Sequence, residues 1–223
     1  MNLEICCYDI ADAIAVQQLG VQRIELCASA QEGGITPPQP WLAIAAEKLT
    51  IPWHFMVRPR GGNFCYTPTE IQAMLQTIHH CKQAGASGIV VGVLNRGHGI
   101  HWQQLSQLIT AAGPMAITFH KAIDVVVRKP ATLQKLGAMG VQYVLTTGGK
   151  THIQQSVHHL QRWLPLTQPL QLIACGSVRS QHISQLKNCG FQWVHAAPLL
   201  QGTNRLDLQE VEKMVTAIHQ GSR

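Results

Sequence analysis

Trp53-His54-Phe55-Met56-Val57-Arg58-Pro59-Arg60-Gly61-Gly62-Asn63-Phe64 is an aromatic and apolar run that stops at Arg58, after which two arginines flank a proline and two glycines release the backbone. Aromatic and branched side chains suit a pleated, half-buried surface, and Pro and Gly cannot continue it, so the stretch reads as a strand delivering cations into a loop. Thr67-Pro68-Thr69-Glu70 follows directly. Thr67 is placed to cap a helix, Pro68 to occupy its first turn, and Glu70 to return a hydrogen bond to the cap. The unit is strand, basic glycine-rich loop, helix.

The same alternation continues outward in both directions. Strand-like runs cover Leu3 to Cys6, Arg23 to Cys27, Trp53 to Arg58, Gly88 to Gly92, Met115 to His120, Tyr143 to Thr146, Leu170 to Ala174 and Trp193 to His195. Their starts lie about 20 to 35 residues apart, the length of one strand, one helix and two short loops. Between them, Ile71, Met74, Leu75 and Ile78 recur at three and four residues, as do Leu208, Val211, Val215 and Ile218, the spacing of one apolar helix face. Gly20, Gly85, Gly140 and Gly190 each stand between a helical pattern and the next strand, where a left-handed residue ends a helix. Eight such units predict an α/β fold, a single-domain TIM-like (β/α)8 barrel over residues 1–223.

Composition narrows the function classes. No run of about 18 apolar residues occurs, and Glu4 stands where an export signal would need cations, so a cytoplasmic protein with no membrane partner is expected. The seven cysteines are odd in number and contain no C-x-x-C pair, which argues for free thiols over a disulfide framework or a zinc ribbon. The net charge is +6, but the 17 Lys and Arg residues are scattered with few aromatics among them, which argues against nucleic acid. A charged fraction of 13% is low, as on a surface partly covered by another subunit, and Trp102 and Trp163 read as exposed aromatics needing cover. A homo-oligomer follows, most simply a two-fold dimer.

Strand side chains alternate, so one parity can be followed from strand to strand. It collects Glu4 and Cys6; Arg23, Glu25 and Cys27; His54, Met56 and Arg58; Thr118 and His120. Charged groups inside a barrel are costly unless paired, so Glu4 and Glu25 are expected to meet Arg23 or Arg58. Glu4 and Arg23, low on their strands, fit an internal ion network. Glu25, Arg58 and His120 lie toward the strand ends, where such barrels carry their sites. His120, Lys121 and Asp124 offer a base, a cation and an orienting carboxylate in one loop. Leu145-Thr146-Thr147-Gly148-Gly149-Lys150 and Ala174-Cys175-Gly176-Ser177-Val178-Arg179 each present small residues and a cation, the make-up of an anion cradle.

Two main function classes remain open on these residues, with a non-catalytic oligomeric adaptor as a third. Cys6, Cys27 and Met56 share a parity on three consecutive strands and offer soft ligands for copper(I), although free cysteines are also common as inert core residues. Alternatively, His120 serves as general acid or base with Glu25 or Asp124 as its partner, while Arg58 and Arg60 clamp a small carboxylate or phosphate. The Gly61-Gly62 loop would then close over the site.

Glu4-x-Cys6, Arg23-Ile24-Glu25-Leu26-Cys27, Gly33-Gly34-Ile35-Thr36-Pro37, Met56-Val57-Arg58-Pro59-Arg60-Gly61-Gly62-x-Phe64-x-Tyr66, Thr118-Phe119-His120-Lys121-Ala122-Ile123-Asp124 and Leu145-Thr146-Thr147-Gly148-Gly149 together resemble the CutC family, named for copper homeostasis. The resemblance runs in order over nearly the whole chain and implies a TIM-like barrel in the cytoplasm. It also implies a site at the barrel mouth built from Glu25, Arg58, His120, Asp124 and His195, with Cys27 a candidate copper(I) ligand. The chain departs from the family pattern at Lys121, where Arg is usual, and at Ile123, where Phe is usual. Further departures are Thr147 for Ser, Cys175-Gly176-Ser177 for a run of glycines, and Ala197 for a Ser. Lysine lacks the bidentate fork of arginine, so Lys121 offers a point charge where the family offers a clamp.

Overall fold

Thr67 caps the third helix as its sequence demands: its hydroxyl accepts from the Glu70 N–H, and the Glu70 carboxylate accepts from the Thr67 N–H. In the computed structural model, which describes residues 1–127 and 129–220, this strand-loop-helix unit is repeated around a closed barrel. The strands are β1 (Asn2–Cys7), β2 (Arg23–Leu26), β3 (Trp53–Met56), β4 (Gly88–Val91), β5 (Ala116–Phe119), β6 (Tyr143–Thr146), β7 (Gln171–Ala174) and β8 (Trp193–Ala196). Each pairs in parallel with its sequence neighbour, and β8 pairs with β1. The helices are α1 (Ile10–Val16), α2 (Pro40–Lys48), α3 (Pro68–Gln83), α4 (Trp102–Ala112), α5 (Lys129–Ala138), α6 (Val157–Gln161), α7 (Ser180–Asn188) and α8 (Leu208–His219). Gly20, Gly85, Gly140 and Gly190 have φ of 85°, 75°, 91° and 89°, the left-handed geometry of the four expected helix stops.

Two parities give the barrel two interiors. One parity, including Ile5, Phe55, Ile89, Phe119 and Val144, packs with helix residues such as Met74, Leu105, Leu136 and Val211 into the main core. The other forms two separate small clusters, Cys6 with Cys27, Met56 and Val90, and Leu145 with Ile173 and Cys175. Polar inward residues fill the rest. β4 contributes Gly88 to this parity and Gly92 continues it just past the strand end, and a Cβ on either would collide with a histidine ring, His54 at Gly88 and His120 at Gly92. The space for both imidazoles exists because β4 has no side chain there.

The buried charge low in the barrel is paired in place, although Arg23 Nη2 makes no hydrogen bond. The Arg23 guanidinium carbon lies 4.2 Å from the Tyr143 ring centroid and 4.1 Å from that of Trp193, held between two aromatic faces. Its Nε donates to Glu4 Oε2 at 2.6 Å, which is the expected internal pair.

Three expectations are corrected here. The third strand ends at Met56, not Arg58, because the Arg58 N–H leaves the ladder to donate to Thr36 Oγ1 at 2.8 Å. The fifth ends at Phe119, with His120 capping a 3-10 turn over Lys121–Val125. Trp163 is 6% exposed, and Trp102 is half-buried beneath the Lys135 ammonium, 4.1 Å from its ring. Both indoles are covered from within the chain, so neither calls for a second subunit. Among the described residues no helix is long and apolar enough to cross a membrane.

Candidate functional site

At the end of the barrel where the strands finish lies a cavity of about 40 Å³ lined by Cys6, Tyr8, Glu25, Gly33, Met56, Arg58, Phe64, His120, Lys121, Leu145 and His195. That volume accommodates only a few water-sized groups.

Its floor is a chain of ionisable side chains from adjacent strands. His195 Nδ1 lies 2.7 Å from Glu4 Oε1 and 3.6 Å from Glu25 Oε2, a link made by the β8-to-β1 pairing that closes the barrel. Burial pushes the Glu4 carboxyl up, but Arg23 and His195 outweigh it and hold the group well below the carboxylate range. For His195, burial opposes the charge, while Glu25, Cys6 and Glu4 together carry its pKa up to about 10. It is an imidazolium at neutral pH. Burial lifts Glu25 to about 8 against the pull of His195.

The two thiols differ. Burial raises Cys6, but hydrogen bonds from Cys27 and His195 outweigh it and bring the thiol down to about 6. Cys27 is pushed well up by burial and by its neighbours Cys6 and Glu25. Its Sγ donates to Glu25 Oε1 at 2.9 Å, while Glu25 Oε2 is buried without a hydrogen bond.

Above the floor, Arg58 ties two loops together. Its Nη1 donates to the carbonyls of Glu32 and Gly34, each at 2.7 Å, and Nη2 donates to that of Gly62 at 3.1 Å. The Nε is buried and unpartnered. The expected pairing of Arg58 with Glu25 is absent, because the backbone carbonyls take the fork and Cys27 and His195 face the carboxylate. Arg60 lies apart from the cavity lining, its Nε 2.5 Å from Glu70 Oε1 and its other nitrogens on the carbonyls of Asn63 and Cys65. The helix cap that places Glu70 is what draws Arg60 away from Arg58.

His120 lines the cavity as a neutral ring. Burial, with Arg58 and Lys121 nearby, lowers its pKa to about 3. Its Nδ1 accepts from the Ala122 N–H at 3.1 Å, so the ring hydrogen resides on Nε2, which is buried and unpartnered. Asp124 does not orient it. Its carboxylate accepts from Thr146 Oγ1 (2.5 Å), the Thr147 N–H and Oγ1 (both 2.9 Å) and the Gly149 N–H (3.0 Å). The 3-10 turn carries Asp124 across to the end of β6, so the cradle expected there, Thr147 included, is filled by the chain's own anion.

The structure thus brings together Cys6, Glu25, Arg58, His120, Lys121 and His195 around one cavity, with Cys27 behind Glu25, and sets Asp124, Thr147 and Arg60 aside. Sequence reasoning missed Tyr8, which lines the cavity and whose hydroxyl is raised by the neighbouring Cys6 and by burial. Its signal was available: it continues the Glu4 and Cys6 parity one step past β1. Phe64 carried no such signal, since it lies in a loop, yet its ring is 4.9 Å from that of His120 and 5.0 Å from the Arg58 guanidinium carbon.

The sequence pattern of the CutC family matches residues 1–200. CutC-family proteins of Klebsiella pneumoniae strain 342 and of a second K. pneumoniae strain are each 36% identical over 195 residues, 87% of this chain and 79% of theirs. A crystal structure of a candidate copper homeostasis protein CutC of Streptococcus agalactiae superposes with a TM-score of 0.83 at 24% identity, covering 87% of this chain and 97% of that one. The thiamine phosphate pyrophosphorylase of Pyrococcus furiosus shares the fold alone, with a TM-score of 0.66 at 9% identity over 100% of this chain and 97% of the other.

Proposed function

The chain belongs to the CutC family, and from that premise we propose that it serves copper homeostasis by holding a copper(I) ion at the barrel mouth. The observation that carries this reading is a cluster in which one ligand atom each of Cys6, Glu25 and Cys27 lies within 4.8 Å of the others. Thiolates are the soft ligands copper(I) selects. Two thiolates on one copper(I) leave a net negative charge, and the imidazolium of His195 and the guanidinium of Arg23 are the cations at hand to balance it. The second cluster, Glu4, Glu25 and His195, is already consumed by Arg23 and by its own members. Competition against a copper(I) chelator tests the reading: Cys27→Ser binds less copper than wild type, and an unchanged affinity in the Cys6/Cys27 double serine variant would end it.

A second reading, an enzyme acting on a small anion by acid–base chemistry, is favoured by a different observation. His120 Nε2, Arg58 Nε and Glu25 Oε2 are buried, make no hydrogen bond and belong to residues lining one cavity, with only the His195 ring nitrogen, 3.6 Å away, facing Glu25 Oε2. Buried polar atoms in native proteins are nearly always satisfied, so three open ones around one space indicate a group that comes from outside. In this reading Glu25 exchanges a proton with the ligand, His120 Nε2–H donates a hydrogen bond to it, and Lys121 adds charge at the rim. A thermal-shift screen of small metabolites tests it, and an empty screen would sink it.

Two further elements belong to the proposal. A cytoplasmic location accords with the composition, and a homodimer rests on the low charged fraction alone. Light scattering that gave a single 24.5 kDa species at micromolar protein would refute the dimer.

A further inference from the structure

We infer that the mouth cavity binds a short 2-hydroxycarboxylate, its carboxylate accepting from His120 Nε2–H and Arg58 Nε–H and its hydroxyl meeting Glu25 Oε2. This rests on the second reading above and gives it a ligand class. Both donors are fixed by geometry. Ala122 occupies His120 Nδ1, so the opposite nitrogen can only donate. The carbonyls of Glu32, Gly34 and Gly62 hold the other two nitrogens of Arg58, so Nε is the one guanidinium nitrogen with no partner. Two donors and one carboxyl oxygen, 5%, 4% and 2% exposed by residue for Arg58, His120 and Glu25, call for a molecule with an anionic acceptor beside a hydroxyl.

Size and charge narrow the class. A cavity with about 40 Å³ of room for water-sized groups favours a small acid over a sugar phosphate. Cys6 and Glu25 face the same space as the cations Arg58, Lys121 and His195, so a planar monoanion is matched where a phosphate dianion would meet too few donors and two acidic neighbours. Phe64 is the cover. Its half-buried ring contacts both donor-bearing groups, and it follows Gly62, which has φ of 75° and open space around its Cα, so the loop has a residue able to let the ring swing aside.

Titration calorimetry on the full chain with glycolate, acetate and inorganic phosphate as probes tests the inference. Glycolate is expected to bind, acetate to bind at least about tenfold more weakly for want of the hydroxyl, and phosphate not to compete. His120→Phe keeps the ring and removes the donor, and is expected to weaken glycolate roughly 10- to 100-fold, the effect of one hydrogen bond to a charged group. Should that variant fold poorly, the ring Nε2–H proton resonance of His120 in wild type gives an independent readout and is expected to move downfield on adding glycolate. No glycolate binding, equal affinity for acetate, or an unmoved His120 resonance would each overturn the inference. If glycolate fails while the wider screen finds another anion, the second reading survives without this ligand; if nothing binds, both fall.

Discussion

The loop after β6 and the loop after β3 both gather hydrogen-bond donors at the barrel mouth, and they end in opposite states. After β6, two threonine hydroxyls and two backbone N–H groups converge on the Asp124 carboxylate, which is thereby fully engaged. After β3, Arg58 spends three donors on backbone carbonyls of its neighbouring loops, and its Nε, like His120 Nε2 nearby, stays open. Donors that the chain satisfies itself brace the architecture. Donors left open at a cavity are available to a ligand, because burial without a partner costs about 1 to 3 kcal/mol per group.

The largest effect that sharpens this contrast is expected at Asp124. Asp124→Ala strands four donors, some of them buried, and should lower stability by about 3 kcal/mol or more, a melting-temperature loss of roughly 6 to 12 °C, measurable by calorimetry. Affinity for a ligand at the β3 side should be unchanged; coupled loss of both would break the division between the loops. Gly92→Ala comes next. Its methyl group would strike the His120 ring, so a destabilisation of about 1 to 3 kcal/mol by urea unfolding is expected, together with loss of glycolate binding.

The titrating histidines give a smaller, pH-confined effect. His120 and His54 are each lowered to about 3, so the stability they contribute is present above pH 6.5 and is lost as the pH falls toward 3. Each adds up to about 1.4 kcal/mol per pH unit to the slope in that window, and His120→Asn should lower the slope between pH 6.5 and 4.5 by up to that amount. His195, raised to about 10, works the other way: its contribution is complete below pH 6.5 and is lost as pH rises toward 10. Glu25 adds a loss up to about pH 8, and Cys6, held down to about 6, offsets it. His195→Gln should therefore flatten the alkaline limb of a stability-against-pH series, and an unchanged limb would mean that the imidazolium is not held by Glu25, Cys6 and Glu4.

Arg60→Ala is the smallest. The pair with Glu70 is largely solvated, so a melting shift of no more than about 3 °C is expected, with no change in ligand affinity. A large loss of binding would place Arg60 in the mouth and erase its difference from Arg58.

Particular residues show how far the sequence could be read. The inward parity of Glu4, Arg23, Glu25, Met56 and Thr118 was legible because side chains alternate on any strand, whatever the neighbours do. The partners were not. Glu25 was expected to meet Arg23 or Arg58, yet His195, about 170 residues away in sequence, faces the carboxylate near the seam where the barrel closes. Asp124, four residues from His120, was expected to orient it, but the intervening 3-10 turn directs the carboxylate to β6.

By itself, the order of residues determined the eight strand-helix units, the capped third helix and the glycine stops, since these depend on local conformational preference and on periodicity within one segment. The tertiary structure alone decided which donors remain unsatisfied. Satisfaction depends on how the folded loops bring atoms together, some local and some from distant segments: Gly34 and Gly62 consume the Arg58 fork, Ala122 fixes the tautomer of His120, Gly92 makes room for its ring and Phe64 covers both. None of those contacts leaves a period or a spacing in the chain.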